Sequence, residues 1–237
     1  MGYMVSIADQ IAVVTGAGRG IGRAIAIELG KMGAKVAVAS RSRSELEETA
    51  RLAGSASVVP TDMRKREEVE RMLEFVATTL GPVDILVNAA GVGIFGPVVE
   101  FSEEDFEILI QTNLKGIFLA CRYVLPSMIK RQTGHIINIA SIAGKVGSAN
   151  RAVYCASKFG VMGFTESLAE EVRSHSIRVS VICPGSTDTA FSPENKTGKA
   201  REKMLQPADV AHAVRMLVTQ EQNSFISEIV MRPTRKP

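Results

Sequence analysis

The chain has 237 residues, 46% of them hydrophobic and 22% charged, the composition of an ordinary globular chain within reach of one large α/β domain over residues 1–237. Its net charge of +3 is too small to create the field that nucleic-acid or membrane-surface binders rely on. Cys121, Cys155 and Cys183 lie far apart with no C-x-x-C pair, so neither a disulfide framework nor a zinc site is expected, and a reducing cytoplasm fits.

The basic cluster at 232–236 reads as a solvated tail. The apolar run at 11–14 is too short for a secretion signal, and no later run is expected to reach a membrane span. Residues 1–6 match a bare myristoylation pattern without the polybasic support that stable anchoring needs, so no membrane partner is expected.

Along the chain, short β-branched runs alternate with longer amphipathic stretches, the pattern of βαβ units winding a parallel sheet with helices on both faces. Strands are expected at 10–14, 35–39, 56–60, 83–88, 135–140, 178–183 and 227–231. Several are nearly continuous apolar runs, which suits strands covered on both sides. A helix at 20–32 stops before Gly33, and one at 67–80 stops at Gly81-Pro82. Ser44 and Glu47 read as a capping box opening the helix after the second strand. A long helix is expected over 103–130, with Asn113 inside it as a poor helix former that signals a bend or a polar task. The polar stretch 191–202, beyond the sixth strand, is a candidate substrate lid or an ordinary surface loop.

Directly after the first strand comes Thr15-Gly16-Ala17-Gly18-Arg19-Gly20-Ile21-Gly22, opening the first helix. Glycines there permit a tight turn and let backbone N–H groups at a helix N-terminus approach a pyrophosphate. Cofactor choice is expected at the end of the second strand, where an acidic residue would bond a ribose 2′-hydroxyl. The sequence there is Ala39-Ser40-Arg41, without a carboxylate. Arg41, helped by Arg19, is suited to a 2′-phosphate, so NADP(H) is the expected cofactor.

Tyr154 and Lys158 stand four residues apart, so on a helix they share a face. A phenol with a reference pKa of about 10 needs help to exchange protons near neutrality, and an adjacent ammonium is expected to supply it. Ser141, at the carboxyl end of the fifth strand, is placed to hold a substrate oxygen. His135, His175 and His212 are isolated, and no metal is expected.

Together with Asp62, Asn88-Ala89-Ala90-Gly91, Asn113 and Pro184-Gly185-x-Thr187-x-Thr189, these motifs resemble the short-chain dehydrogenase/reductase family over nearly the whole chain. The resemblance implies a Rossmann-type, doubly wound three-layer α/β sandwich with a seven-stranded parallel sheet. Strand order 3-2-1-4-5-6-7 with right-handed crossovers is expected. It implies Tyr154 as general acid and base, Ser141 orienting the carbonyl, Lys158 on the nicotinamide ribose, and Asn113 anchoring a water. Gly16, Gly18, Arg19, Gly20, Ile21, Ser40, Arg41, Asp62, Met63, Asn88, Ala89, Ala90 and Gly91 are expected along the cofactor, with Pro184, Gly185, Thr187 and Thr189 at its nicotinamide end.

Two departures stand out: Ala89 replaces a second asparagine common in the family, and the last strand lacks the usual closing pair of glycines. The leading expected substrate is a 3-oxoacyl thioester on acyl-carrier protein or CoA, as in the 3-oxoacyl-acyl-carrier-protein reductases. The alternative is a ketone, sugar or hydroxy acid. A dimer or tetramer is implied, the long helices holding Asn113 and Tyr154 being the usual pairing surfaces. A nucleotide sensor without chemistry would need the glycine turn but not Ser141, Tyr154 and Lys158.

Overall fold

A computed structural model describes residues 5–191 and 198–235. Seven parallel strands form one sheet in the order β3-β2-β1-β4-β5-β6-β7. They are β1 (Ile11–Thr15), β2 (Lys35–Ser40), β3 (Ser57–Pro60), β4 (Ile85–Asn88), β5 (Gly134–Ile139), β6 (Ile177–Pro184) and β7 (Glu228–Met231). The expected order and strands are present, with ends moved by one or two residues. The chain winds outward from β1 to β3 and then returns to place β4 beside β1, pairing Thr15 with Asn88. That reversal leaves a crevice at the carboxyl ends of the central strands.

Each sheet face carries its own apolar layer. On one side α1 (Gly20–Lys31), α2 (Arg43–Leu52) and α8 (Pro207–Val218) bury Ile25, Leu29, Leu46, Val214 and Leu217 against Val14, Val38 and Ile137. On the other, α3 (Arg66–Thr79), α5 (Gly116–Arg131) and α6 (Ala152–Val172) cover the sheet, with Met72, Val124, Met128 and Val161 packed on Val13, Leu86 and Ile136, while α4 (Glu103–Ile110) leads into α5. Strands buried on both faces explain the continuous apolar runs in the sequence.

The helix N-cap lies two residues earlier than expected, and it is a one-way cap in place of the expected capping box. Ser42, not Ser44, caps α2 by accepting from the Glu45 amide at 3.4 Å. Two S-x-x-E frames overlap here, and the earlier start lets buried Thr49 donate to the Ala17 carbonyl at 2.9 Å.

The helical stretch Glu103–Arg131 is long and apolar enough by length and composition to cross a membrane, which the expectation of no such run did not anticipate. Half of its most apolar window is buried inside the protein, where it packs against α3 and the sheet as a core helix. Five residues within it, Gln111–Lys115, form a π-turn, so the irregularity expected at Asn113 is present.

Most of the candidate lid, residues 192–197, lies outside the described residues, as do residues 1–4 of the myristoylation-like segment and Lys236 of the basic tail. A short helix, α7 (Gly198–Arg201), follows the first of these gaps.

Candidate active site

One cavity of about 1280 Å³ runs along the carboxyl ends of the strands. It begins at the glycine turn. Thr15, ending β1, accepts from the Ala89 and Ala90 amides at 3.2 Å each and so ties the turn to the end of β4. Gly16 has φ +66°, and a Cβ there would lie 2.7 Å from the Ala89 carbonyl oxygen. A Cβ on Gly22 would overlap the Gly16 carbonyl. Arg23 braces the turn from behind, donating to the Gly18 carbonyl and, at 3.0 Å, to Thr49 Oγ1. Helix α1 starts without a side-chain cap and without an acidic residue in its first turn, so its amide end is suited to an anion.

At the end of β2 the Ser40 hydroxyl is buried against the cavity without a hydrogen-bond partner, and Arg41 and Arg19 line the same wall. An orphaned buried hydroxyl is costly unless a ligand completes it. Asp62 and Met63 line the adjoining wall. The Asp62 carboxylate is held by Arg64, with Nη2 at 2.6 Å and Nε at 3.0 Å, and this bond keeps its pKa below the ordinary carboxylate value. Arg64 and Glu45 also line the cavity, and the sequence reading missed both. A basic residue two positions after Asp62 was the available signal for Arg64.

Ser141 follows β5 in an extended conformation, its Oγ accepting from the Ala143 amide at 3.1 Å. Tyr154 and Lys158 occupy one face of α6 and line the same cavity as Ser141, as the four-residue spacing requires. Only 7% of Tyr154 and 4% of Lys158 are exposed. Burial pushes the phenol's pKa above its ordinary value, while a hydrogen bond with Ser141 and the charge of Arg151 pull it back. Burial also pushes the Lys158 ammonium down to about 8.

Acidification of Tyr154 by Lys158 was expected, whereas the influences resolved on the phenol are those of burial, Ser141, Arg151 and Cys155. The lysine Nζ stands 5.9 Å from the phenol ring centroid and donates to the Ile139 carbonyl at 3.1 Å. A buried ammonium goes to a nearby strong acceptor, and the last carbonyl of β5 provides one.

Two expected site residues sit behind the wall. Asn113, fully buried in the π-turn, accepts from the Val92 amide at 2.8 Å and donates to the Val92 carbonyl at 3.0 Å and to Ser157 Oγ at 3.1 Å. Ser157 in turn donates to the Tyr154 carbonyl at 2.7 Å. The Asn113 side chain thus clamps the segment after β4 to α6. Asn88, expected along the cofactor, does not reach the cavity: its amide donates to Asn138 at 2.9 Å, and Asn138 donates to Thr165 at 2.9 Å. This buried ladder joins β4, β5 and α6, and it leaves Ala89, Ala90 and Gly91 to form the wall.

Beyond β6, Pro184, Gly185, Thr187 and Thr189 line the far end. Gly185 donates to the Met231 carbonyl at 2.8 Å, so this segment is anchored to β7 without the absent glycine pair. Phe95, Arg151 and Phe191 complete the wall around the phenol; Phe191 opens the stretch read as a candidate lid, while Phe95 and Arg151 were not singled out from the sequence. Phe95 meets the Tyr154 ring edge-on at 5.3 Å and Phe191 meets it at 6.0 Å, while Arg151 lies 4.8 Å over the Phe95 ring. For Arg151 a signal existed: it precedes Tyr154 by three residues, and residues so spaced are neighbours on a helix.

Residues 10–200 match the sequence pattern of the family described as short chain dehydrogenase. An uncharacterized oxidoreductase of Staphylococcus aureus (strain MRSA252) is 37% identical over 233 residues, covering 97% of this chain and all of the relative. Among solved structures, a metagenomic short-chain oxidoreductase in complex with NADP is 40% identical with a TM-score of 0.87, covering 98% of this chain and all of that one. An alcohol dehydrogenase from the archaeon Thermococcus sibiricus, complexed with 5-hydroxy-NADP, is 30% identical with a TM-score of 0.88, covering 96% and 98% of the two chains. The closed form of a serine dehydrogenase complexed with NADP+ is 35% identical with a TM-score of 0.87, covering 94% of each. With four-fifths of its length matching the family pattern and full-length relatives above 35% identity, this chain belongs to the short chain dehydrogenase family of oxidoreductases.

Proposed function

We propose that this protein is an NADP(H)-dependent oxidoreductase that interconverts a small carbonyl compound and its alcohol. One observation carries the reading: Ser141, Tyr154 and Lys158 converge on a single cavity continuous with the glycine turn. The residues fit the dinucleotide. The uncapped start of α1 suits its pyrophosphate, while the unpartnered Ser40 hydroxyl with Arg41 and Arg19 suits a 2′-phosphate. Three solved relatives in complex with NADP or an analogue support the same choice.

When bound, the dinucleotide supplies or accepts the hydride. The chain's own residues do the rest. Ser141 holds the substrate oxygen, and Tyr154 gives that oxygen a proton in reduction and takes it back in oxidation. Lys158, held by the Ile139 carbonyl and lining the same cavity, would bond the nicotinamide ribose. Asn113 and Ser157 keep the helix carrying Tyr154 in position. Phe95 and Phe191 enclose the phenol and exclude water from the proton transfer.

Of the two substrate classes read from the sequence, a small ketone or hydroxy acid is favoured over a 3-oxoacyl thioester on a carrier. Two of the solved relatives are an alcohol dehydrogenase and a serine dehydrogenase, and a phenol walled by two aromatic rings suits a compact substrate. A cytoplasmic dimer or tetramer belongs to the same proposal, supported by exposed Phe106, Phe118 and Phe159 on the helices expected to pair.

The test is reduction of acetoacetate, methyl acetoacetate and an acetoacetyl thioester with NADPH, followed at the nicotinamide absorbance band. Turnover is expected, falling about a thousandfold in Tyr154→Phe while NADPH is still bound. Equal turnover by that variant, or none by the wild type with any carbonyl, overturns the reading.

A further inference from the structure

We propose that Glu45, in the first turn of α2, limits the preference of this enzyme for NADP(H) over NAD(H). Its carboxylate stands beside Ser40, where the cavity suits a 2′-phosphate; it opposes that group's charge and offers an acceptor to the free 2′-hydroxyl of NAD(H). The inference rests on the cofactor reading above and adds a residue that no motif in the sequence marks.

Strand β2 ends in Ser40-Arg41, without the acid that would bond a ribose 2′-hydroxyl. The fold brings a carboxylate to the same corner from the helix that follows. Ser42 caps α2 by accepting from the Glu45 amide at 3.4 Å, which sets Glu45 on the first turn. In a reciprocal capping box its side chain would return to the Ser42 amide. Here it lies against the glycine turn instead. A Cβ on Gly18 would be 2.7 Å from Ser40 Oγ and 2.8 Å from Glu45 Oε2, so hydroxyl and carboxylate flank one small volume left open by the missing side chain. Gly18, Ser40, Arg41 and Glu45 all line the cavity, and Ser40 Oγ is buried without a hydrogen-bond partner. Glu45 therefore does not complete that hydroxyl, and an incoming group is needed to do so.

The charge of Glu45 is uncompensated where its neighbours' charges are not. On the same helix Glu47 pairs with Arg43 at 3.8 Å and Glu48 with Arg51 at 2.9 Å. On the adjoining wall Asp62 is held by Arg64 at 2.6 Å. Among the described residues, the Glu45 carboxylate takes part in no hydrogen bond or ion pair. Arg23 reaches this corner, but its donors go to the Gly18 and Glu45 carbonyls and to Thr49 Oγ1. Arg19 and Arg41 are exposed, whereas Glu45 is half-buried, so solvent screens the two cations more than the one anion. The corner thus attracts a 2′-phosphate less strongly than its two arginines alone would.

The experiment is calorimetric titration of NADP+ and NAD+, with no substrate present, into the wild type, Glu45→Gln and Glu45→Lys. The wild type is expected to bind NADP+ more tightly than NAD+. The ratio of the two affinities is expected to rise roughly threefold to thirtyfold in Glu45→Gln, mainly through tighter NADP+, and further in Glu45→Lys. Adenosine 2′,5′-bisphosphate compared with adenosine 5′-monophosphate is expected to show the same change, which locates it at the 2′ position. Circular dichroism reports whether each variant is folded.

A ratio unmoved or lowered by Glu45→Gln overturns the proposal. If both dinucleotides bind more tightly by the same factor, Glu45 acts on the shape of the glycine turn and not on the 2′ charge, which overturns it equally. A wild type that binds neither dinucleotide sinks the cofactor reading and this inference with it. Tight binding without turnover of any carbonyl removes the oxidoreductase reading alone, and the same titrations then still decide the role of Glu45.

Discussion

Replacing Lys158 by methionine is expected to stabilise the ligand-free protein at neutral pH while removing activity. The ammonium is 4% exposed, and burial lowers its pKa from 10.5 to about 8. Between those values the unfolded chain binds the proton and the folded one does not, so wild-type stability rises with pH across that window. Below about pH 8 the penalty is fully present, about 3 kcal/mol at 1.36 kcal/mol per unit. Methionine has a similar length and no charge, but it leaves the Ile139 carbonyl without its 3.1 Å bond, a loss of about 1 kcal/mol. The net gain is about 2 kcal/mol near pH 6, shrinking towards zero by about pH 9.5, where most of the penalty has gone. Urea unfolding followed by far-ultraviolet circular dichroism at the two pH values measures both numbers. A variant less stable than the wild type at pH 6, or a difference that does not change with pH, would refute the reasoning. Such a gain would identify Lys158 as a residue kept for its chemistry at the expense of stability.

Three other substitutions test separate parts of the site. Arg41→Asp is expected to weaken NADPH tenfold to a hundredfold relative to NADH, measured as the ratio of kcat/KM, and an unchanged ratio counts against the 2′-phosphate assignment. Ser141→Ala removes the hydrogen bond that lowers the Tyr154 pKa, so in alcohol oxidation the limb that requires phenolate should move to higher pH; a stationary or acid-shifted limb contradicts that role. Gly22→Ala places a methyl group against the Gly16 carbonyl, and a loss of about 1–3 kcal/mol in thermal or urea unfolding is expected, together with weaker NADPH binding. Wild-type values for both would show that the turn yields more easily than its packing indicates.

The sheet was legible because strands covered on both faces must be apolar throughout, as Ile85, Leu86 and Val87 are, and such runs stand out between amphipathic helices. Element starts were less legible where two frames compete locally. Ser42/Glu45 and Ser44/Glu47 are equally good capping pairs in sequence, and the choice is made by Thr49 reaching the Ala17 carbonyl across the layer. The long helix escaped a search for apolar runs because its hydrophobic residues are interrupted by the polar ones that form its outer face. Within it, Asn113 signalled an irregularity, yet nothing local specifies Val92 and Ser157 as its partners; those contacts exist only once β4 and α6 are side by side.

In the site itself, motif spacing identified the phenol and the ammonium but not the field they experience. Charge spacing alone suggests that the lysine acidifies the tyrosine. The folded site shows that burial favours the neutral form of both, raising one pKa and lowering the other. What draws the phenol back towards ionisation is the Ser141 hydroxyl and the positive charge of Arg151, a residue belonging to no motif in the sequence. An arginine fixed over Phe95 by stacking therefore bears on proton exchange at Tyr154. The acidity of the phenol thus depends on groups that the fold brings to it from the end of β5 and the start of α6 as well as on the four-residue spacing within the helix.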